Sequence, residues 1–220
     1  MATYEPFCSV ARAADLLGER WNILIVREAL MGSTRFSEFQ AGIPAVSRTM
    51  LSTRLKTLVD AGVLAKSTGE GGPTYALTAS GRELFDVVKA LGVWGQRWID
   101  RGARDVQSTF DEVLWDMRRR VDRDALPQSP VVLRIRWTEG GERGVRCMLL
   151  RREEVSFCSH NMGFPEVQLD VTPSTLARWW RGDTDLARSG LVLSGEPEHR
   201  RAFPTWFHRY LFADVRPAAQ

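Results

Sequence analysis

Apolar residues recur at helical spacing through the first hundred positions and at strand spacing only later. Val10, Ala13, Ala14 and Leu17 predict a helix over Cys8 to Leu17, with Gly18 as its stop. Ile23, Leu24, Val26 and Ala29 mark a second, from about Trp21 to Leu30, and Phe36 and Phe39 a short third that ends near Gln40, before Ile43-Pro44. Ser47 stands at the N-cap position of a fourth helix, Arg48 to Ala61, whose inner stripe is Leu51, Leu55, Leu58 and Val59. The opposite face carries Arg48, Ser52 and Lys56, with Thr49 and Thr53 beside them. Two short strands, Val63 to Lys66 and Thr74 to Leu77, flank a Gly-rich turn at 69–73 and form a hairpin. Ser80 and Glu83 then make a capping box for a longer helix with Leu84, Val87, Val88, Leu91, Trp94 and Trp98 on one stripe. Two tryptophans there are more apolar surface than one small domain buries, so the stripe calls for a partner helix, in this chain or another.

After Arg101 the pattern changes. Thr109 and Glu112 form a second capping box, and Phe110, Val113, Leu114, Met117 and Val121 line a helix expected to run until Pro127 and Pro130. Period-two alternation follows: Val131, Leu133, Ile135 and Trp137 on one face, Arg134 and Arg136 on the other, a Gly140-Gly141 turn, then a strand with Val145, Cys147 and Leu149. Further strands are expected at Val155 to Ser159, Val167 to Val171 and Leu191 to Leu193. Thr172 with Pro173 opens a helix that ends at Gly182, and helical pieces cover Pro197 to Ala202 and Pro204 to Phe212. The fold class is α+β: a winged helix-turn-helix domain over residues 1–104, then an α+β domain over 105–220 with a curved antiparallel sheet covered by helices.

The 220 residues are 44% hydrophobic and 26% charged, which excludes disordered and collagen-like chains. Lysine occurs only at Lys56, Lys66 and Lys89; the arginine bias matches base composition more readily than function. The formal charge is +3. Between Ser47 and Lys66, Arg48, Arg54, Lys56 and Lys66 face Asp60 alone, so the excess of the whole chain sits on the fourth helix and the hairpin. Cys8, Cys147 and Cys158 are too few and scattered for a disulfide framework. Met1 to Pro6 lacks the features of a signal peptide and no apolar run spans a bilayer, so a cytoplasmic protein without a membrane partner is expected. Gly-x-Ser-x-Gly, HExxH and phosphate-loop motifs are missing, Glu70 would repel phosphate from the glycine turn, and His160, His199 and His208 lack metal-ligand spacing. The expectation is no enzyme, no metal and no cofactor.

Helix, helix, short helix, capped helix, hairpin is the order of a winged helix-turn-helix, which places the capped helix in a DNA major groove. Arg48 then reaches a guanine edge, Ser47, Thr49, Ser52 and Thr53 bond bases or phosphates, and Lys56 and the wing's Lys66 contact phosphates. The segments Cys8-Ser9-Val10-Ala11-Arg12-Ala13, Leu17-Gly18-Glu19-Arg20-Trp21-Asn22-Ile23-Leu24-Ile25, Arg35-Phe36-Ser37-Glu38-Phe39, Met50-Leu51-Ser52 and Gly62-Val63-Leu64, with Tyr75, Leu77-Thr78 and Gly81, resemble the HxlR-type transcriptional regulators. The likeness covers about residues 5 to 100. It implies a homodimer on a pseudo-palindromic duplex operator, with Leu84, Val88, Leu91, Trp94 and Trp98 between the subunits and Arg35 among the DNA-facing residues. Some relatives use a cysteine at the position of Cys8 as a redox sensor.

Leu169-Asp170-Val171-Thr172-Pro173-Ser174-Thr175-Leu176, Trp180-Arg181-Gly182-Asp183, Leu191, Val192 and Gly195 are similar to sterol carrier protein type lipid-binding domains. That likeness implies an apolar tunnel lined by Trp137, Phe157, Trp179, Trp180 and Phe207 for a lipid-like effector; the competing expectation is a filled core. The functional expectation is a dimeric regulator, a repressor, under effector control. The alternatives are a lipid carrier dimerised by its first domain and a thiol-based regulator acting through Cys8.

Overall fold

The computed structural model describes residues 7–99, 110–158 and 165–218. It divides into two compact units, 1–94 and 95–220. The expected boundary at 104/105, Thr109 of the second capping box, Ser159 and His160 lie outside the described residues.

The first unit contains α1 (Ser9–Leu17), α2 (Asn22–Leu30), α3 (Phe36–Gly42), α4 (Arg48–Asp60), the hairpin β1 (Leu64–Gly69) and β2 (Gly72–Leu77), and most of α5 (Ala79–Trp98). Ile25 and Val26 of α2, Phe39 of α3 and Leu51, Leu55 and Leu58 of α4 are fully buried and form one core with Leu64 and Tyr75. The buried Asn22 donates from Nδ2 to the Leu16 carbonyl at 2.7 Å, tying the end of α1 to the start of α2. A carboxylate also lies in this interior. Glu28 is fully buried, receives the Arg27 guanidinium at 2.7 Å and the Ser33 hydroxyl at 3.4 Å, and leaves no room for a side chain at Gly42.

The hairpin strands are longer than their apolar residues indicate. Pairing continues through Thr68 with Pro73 and Gly69 with Gly72, so the turn is only Glu70-Gly71. Tyr75 sends its N–H away from β1, to the Thr34 carbonyl at 2.8 Å. Pro73 shares that orientation, so its missing N–H costs the hairpin ladder nothing. The cap of α5 is also two residues earlier than Ser80: Thr78 Oγ1 accepts the Gly81 N–H at 3.2 Å, while the Ser80 hydroxyl donates to the Gly62 carbonyl at 2.9 Å.

The second unit places α6 (Phe110–Arg119), α7 (Pro173–Trp180) and α8 (Pro197–Ala202) with a sheet of β3 (Val131–Glu139), β4 (Glu142–Leu150), β5 (Val155–Phe157), β6 (Val167–Val171) and β7 (Val192–Gly195). The strand order is β5-β4-β3-β6-β7, and β3 runs parallel to β6 while the other pairs are antiparallel. The sheet is therefore mixed, which corrects the antiparallel expectation. Gly140 and Gly141, both with positive φ, make the β3–β4 turn. The register opposes Leu133 to Met148, so β4 buries Met148 and Leu150, while Val145 is half exposed. Across β3 and β6, the hydrogen-bonded Arg136 guanidinium holds the Asp170 carboxyl below the usual carboxylate range.

Two expected helices are shorter. α6 stops at Arg119, because the chain beyond it pairs with residues near Phe207: the Asp122 N–H donates to the Trp206 carbonyl and the His208 N–H to the Arg120 carbonyl, both at 2.8 Å. The same pairing draws Phe207 into extended conformation, leaving a 3₁₀ turn at Phe203–Trp206 in place of a helix from Pro204 to Phe212. Thr172 caps α7 as expected, accepting the Thr175 N–H at 3.1 Å. The Asp116 carboxylate of α6 accepts the Trp180 indole N–H at 2.7 Å.

Replacing the buried carboxylate by Glu28→Ala leaves a void against Gly42 and removes the acceptor of the Arg27 and Ser33 hydrogen bonds. The expected loss is about 3 kcal/mol, against less than about 0.5 kcal/mol for the exposed Asp60→Ala. Urea unfolding of the two variants, followed by far-UV circular dichroism, measures the difference.

Candidate nucleic-acid interface

The turn between α3 and α4 buries Ile43 and Val46 and leaves Pro44 and Ala45 outside. Gln40 secures it by donating from Nε2 to the Val46 carbonyl at 2.8 Å. Ser47 then caps α4, its hydroxyl oxygen accepting the Met50 N–H at 3.2 Å. This fixes the rotation of α4 about its axis: Leu51, Leu55 and Leu58 face the core, and Ser47, Arg48, Thr49, Ser52, Thr53 and Lys56 are all exposed.

Phe36 of α3 joins this surface. The Arg48 guanidinium lies 5.1 Å from the centre of its ring, and Phe36, Arg48, Thr49, Ser52 and Thr53 line one open depression. An aromatic face under a guanidinium limits the arginine's freedom without occupying its N–H donors, which favours bidentate contact with a base edge. Thr53 is partly committed, since its hydroxyl donates to the Thr49 carbonyl at 3.0 Å. Met50 on the same helix is 38% exposed.

The cations divide into two groups. Arg54, counted above in the basic excess, is an inner residue paired with Glu19 ahead of α2, with both side chains less than one-fifth exposed. Lys56 is exposed and pairs with Asp60 one turn on, a contact that a phosphate can replace at little cost because exposed pairs are weak. Arg35 is exposed at the start of α3, and its Nη1 donates to the Gly71 carbonyl at the tip of the hairpin, 2.6 Å away. A Cβ on Gly71 would lie 2.8 Å from that guanidinium, so a larger residue there would require the arginine to shift. With the Tyr75–Thr34 hydrogen bond, this clasp joins the hairpin to α3 at two levels. Lys66 is exposed on β1.

The remaining expected site residues are dispersed. Leu84 and Val88 pack against the first unit's core, whereas Leu91, Trp94 and Trp98 keep more than half their surface in solvent. Phe85, Val87, Val10 and Phe7 are also exposed. Trp179, Trp180 and Phe207 are buried in the second unit and pack on one another and on Phe203, with ring centres 5.4–6.1 Å apart. Trp137 lies against Phe110 and packs on the same core, and Phe157 is partly exposed on the edge strand β5. Cys8 is exposed at the N-cap position of α1. Among the described residues no group of three or more His, Cys, Asp or Glu is placed to hold a metal, and no helix is long and apolar enough to cross a membrane.

The residues that sequence reading missed are those behind the surface. Glu28 falls between the buried Ile25 and Ala29 on the inner face of α2, and that helical spacing is the one signal that marks it as an interior charge. The Arg54–Glu19 and Arg35–Gly71 contacts join residues 35 and 36 positions apart and leave no local pattern.

Residues 16–103 match the family model described as HxlR-like helix-turn-helix. An uncharacterized HTH-type transcriptional regulator of Mycobacterium tuberculosis is 38% identical over 96 residues, which are 42% of this chain and 60% of that protein. The chain thus spans about three-fifths of the length of that relative. YvaP of Bacillus subtilis, also an uncharacterized HTH-type transcriptional regulator, is 39% identical over 92 residues, or 40% of this chain and 85% of YvaP. Among solved structures, the reduced form of the transcriptional regulator YodB from B. subtilis is 30% identical, covering 45% of this chain and 97% of that one, with a TM-score of 0.37.

The two groups of cations should separate on mutation. Arg54→Ala leaves the largely buried Glu19 without its partner and lowers stability by about 1–3 kcal/mol; Arg48→Ala changes it by less than about 0.5 kcal/mol. Denaturant midpoints of the two variants give the comparison.

Proposed function

The chain belongs to the HxlR-like helix-turn-helix family, and from that premise we propose that it is a cytoplasmic, sequence-specific DNA-binding transcriptional regulator that represses as a dimer. The observation that carries this reading is the outer face of α4: a capped helix, rotationally fixed by three buried leucines, that presents Arg48, Thr49 and Ser52 beside a hairpin clasped to α3. Arg48 reads a base edge in the major groove, Ser47 and Lys56 hold phosphates, and Lys66 contacts the flanking backbone. The exposed stripe Leu91, Trp94 and Trp98 supports pairing of two copies through α5, which sets two half-sites about one helical turn, roughly 34 Å, apart. A second reading, thiol control, is favoured by one observation, the exposure of Cys8 at the start of α1.

Gel shift on duplexes from the region upstream of the protein's own coding sequence tests the first reading. A specific, salt-dependent complex is expected. Arg48→Ala weakens it by about 10- to 100-fold, and Lys56→Ala weakens all sequences alike while lowering the salt slope by about one. Binding indifferent to both substitutions overturns the reading. Thiol control at Cys8 predicts that an oxidant releases the wild-type complex and spares that of Cys8→Ser; equal release from both removes it.

A further inference from the structure

The second unit holds a pair of cysteines that the sequence separates by ten residues and the sheet brings face to face. β4 and β5 form a tight hairpin closed by Arg152-Glu153, in which the Arg151 N–H donates to the Glu154 carbonyl at 3.1 Å. Leu150 pairs with Val155, Leu149 with Ser156 and Met148 with Phe157. One step further the same register opposes Cys147 to Cys158, and the Cys158 N–H indeed donates to the Cys147 carbonyl at 2.8 Å. Directly opposed residues of an antiparallel pair share a face. Both thiols therefore lie on the side of the sheet away from the core side chains of Met148 and Leu150.

The opposition is held in place. Arg152 donates to the Leu126 carbonyl at 2.6 Å, Arg123 to the Glu153 carbonyl at 2.9 Å and Arg118 to the Val155 carbonyl at 2.9 Å, so the turn and the edge strand are both fastened. A two-residue turn with these anchors leaves no freedom for a one-residue slip, which would move the cysteines to opposite faces. At a hydrogen-bonded antiparallel position the Cα atoms stand about 5.5 Å apart, inside the range of roughly 4.4–6.8 Å that a disulfide requires. The Cβ separation typical of opposed strand residues, about 4.5–5.5 Å, lies at or beyond the long end of that requirement, so a bond formed here is reducible and not a permanent staple.

We propose that Cys147 and Cys158 are a reversible dithiol modification site whose substrate is a hydroperoxide. Cys158 is half-buried and Cys147 nearly closed off, so Cys158 reacts first. Its thiolate sulfur attacks the outer oxygen of ROOH, an S–O bond forms as the O–O bond breaks, and the leaving alkoxide takes a proton to give ROH. The Cys147 sulfur then attacks the sulfur of the Cys158 sulfenic acid, forming S–S; the displaced hydroxide and the Cys147 proton leave as water. Two thiols lose two electrons and the peroxide gains them. The product fastens the three-residue edge strand β5 to β4 at its open end. This site is separate from Cys8 and independent of DNA binding.

The test uses the full chain carrying Cys8→Ser, reduced, desalted and exposed to hydrogen peroxide, then alkylated with N-ethylmaleimide in denaturant and examined by intact and peptide mass spectrometry. The expected result is a fall from two alkylated thiols to none, a mass loss of about 2 Da from the two released hydrogens, and a linked Cys147–Cys158 peptide that dithiothreitol reverses. In the same background, Cys147→Ser should stop the reaction at a Cys158 sulfenic acid that dimedone captures. Persistence of two alkylated thiols, gain of oxygen at Cys158 without a linked peptide, or disulfides between chains would overturn the proposal.

Discussion

A single carboxylate buried without access to water organises the first unit of the molecule. Glu28 meets Arg27 and Ser33 at one point, and the same Arg27 reaches the carbonyl of Gly42, the last residue of α3, at 3.1 Å. Burying a charge costs several kcal/mol unless its partners are all in place. α2, the loop into α3 and the end of α3 must therefore assume one arrangement together. That arrangement fixes where the turn Ile43–Val46 begins, and the turn, secured by Gln40, fixes where Ser47 starts α4. The position of the outward residues of α4 is thus inherited from an interior charge two helices earlier.

The same economy governs the arginines. Arg27, Arg35 and Arg54 contact carbonyls and carboxylates within the first unit, joining α2 to α3, α3 to the hairpin tip, and α4 to the segment ahead of α2. Arg48, Lys56 and Lys66 point outward. Local charge counting treats both kinds alike, and the +3 excess between Ser47 and Lys66 includes Arg54, whose charge Glu19 meets inside the protein. What remains on the surface is fewer charges in better-defined places: a guanidinium over the Phe36 ring, a lysine in a weak exposed pair and a lysine on the hairpin.

Local chemistry was readable wherever one short segment determined the outcome. Ser47 before a Leu51, Leu55, Leu58 stripe, the Gly140-Gly141 turn and Thr172-Pro173 at a helix start each specify their conformation within a few residues, and each is as expected. Contacts between distant segments were not readable. Ser80 and Glu83 fit a capping box, but Ser80 is drawn to the Gly62 carbonyl and Thr78 takes the cap. Helical spacing continues past Arg119 and past Pro204, yet strand-like pairing of residues 120–122 with 206–208 ends both helices. The face of β4 was set by its register with β3, which alternation of Val145, Cys147 and Leu149 alone could not supply. The apparent scatter of three cysteines likewise concealed an opposed pair that only the β4–β5 register reveals.

The proposed DNA contact is made by the outer face of α4 and the hairpin tip. Hydrogen–deuterium exchange of the full protein, with and without a duplex from its own upstream region, tests it directly. The expected result is slowed exchange in the amides of residues 47–56 and 66–72 on adding the duplex, with the second unit's sheet unchanged. Protection confined to the second unit, or none in α4, would contradict it.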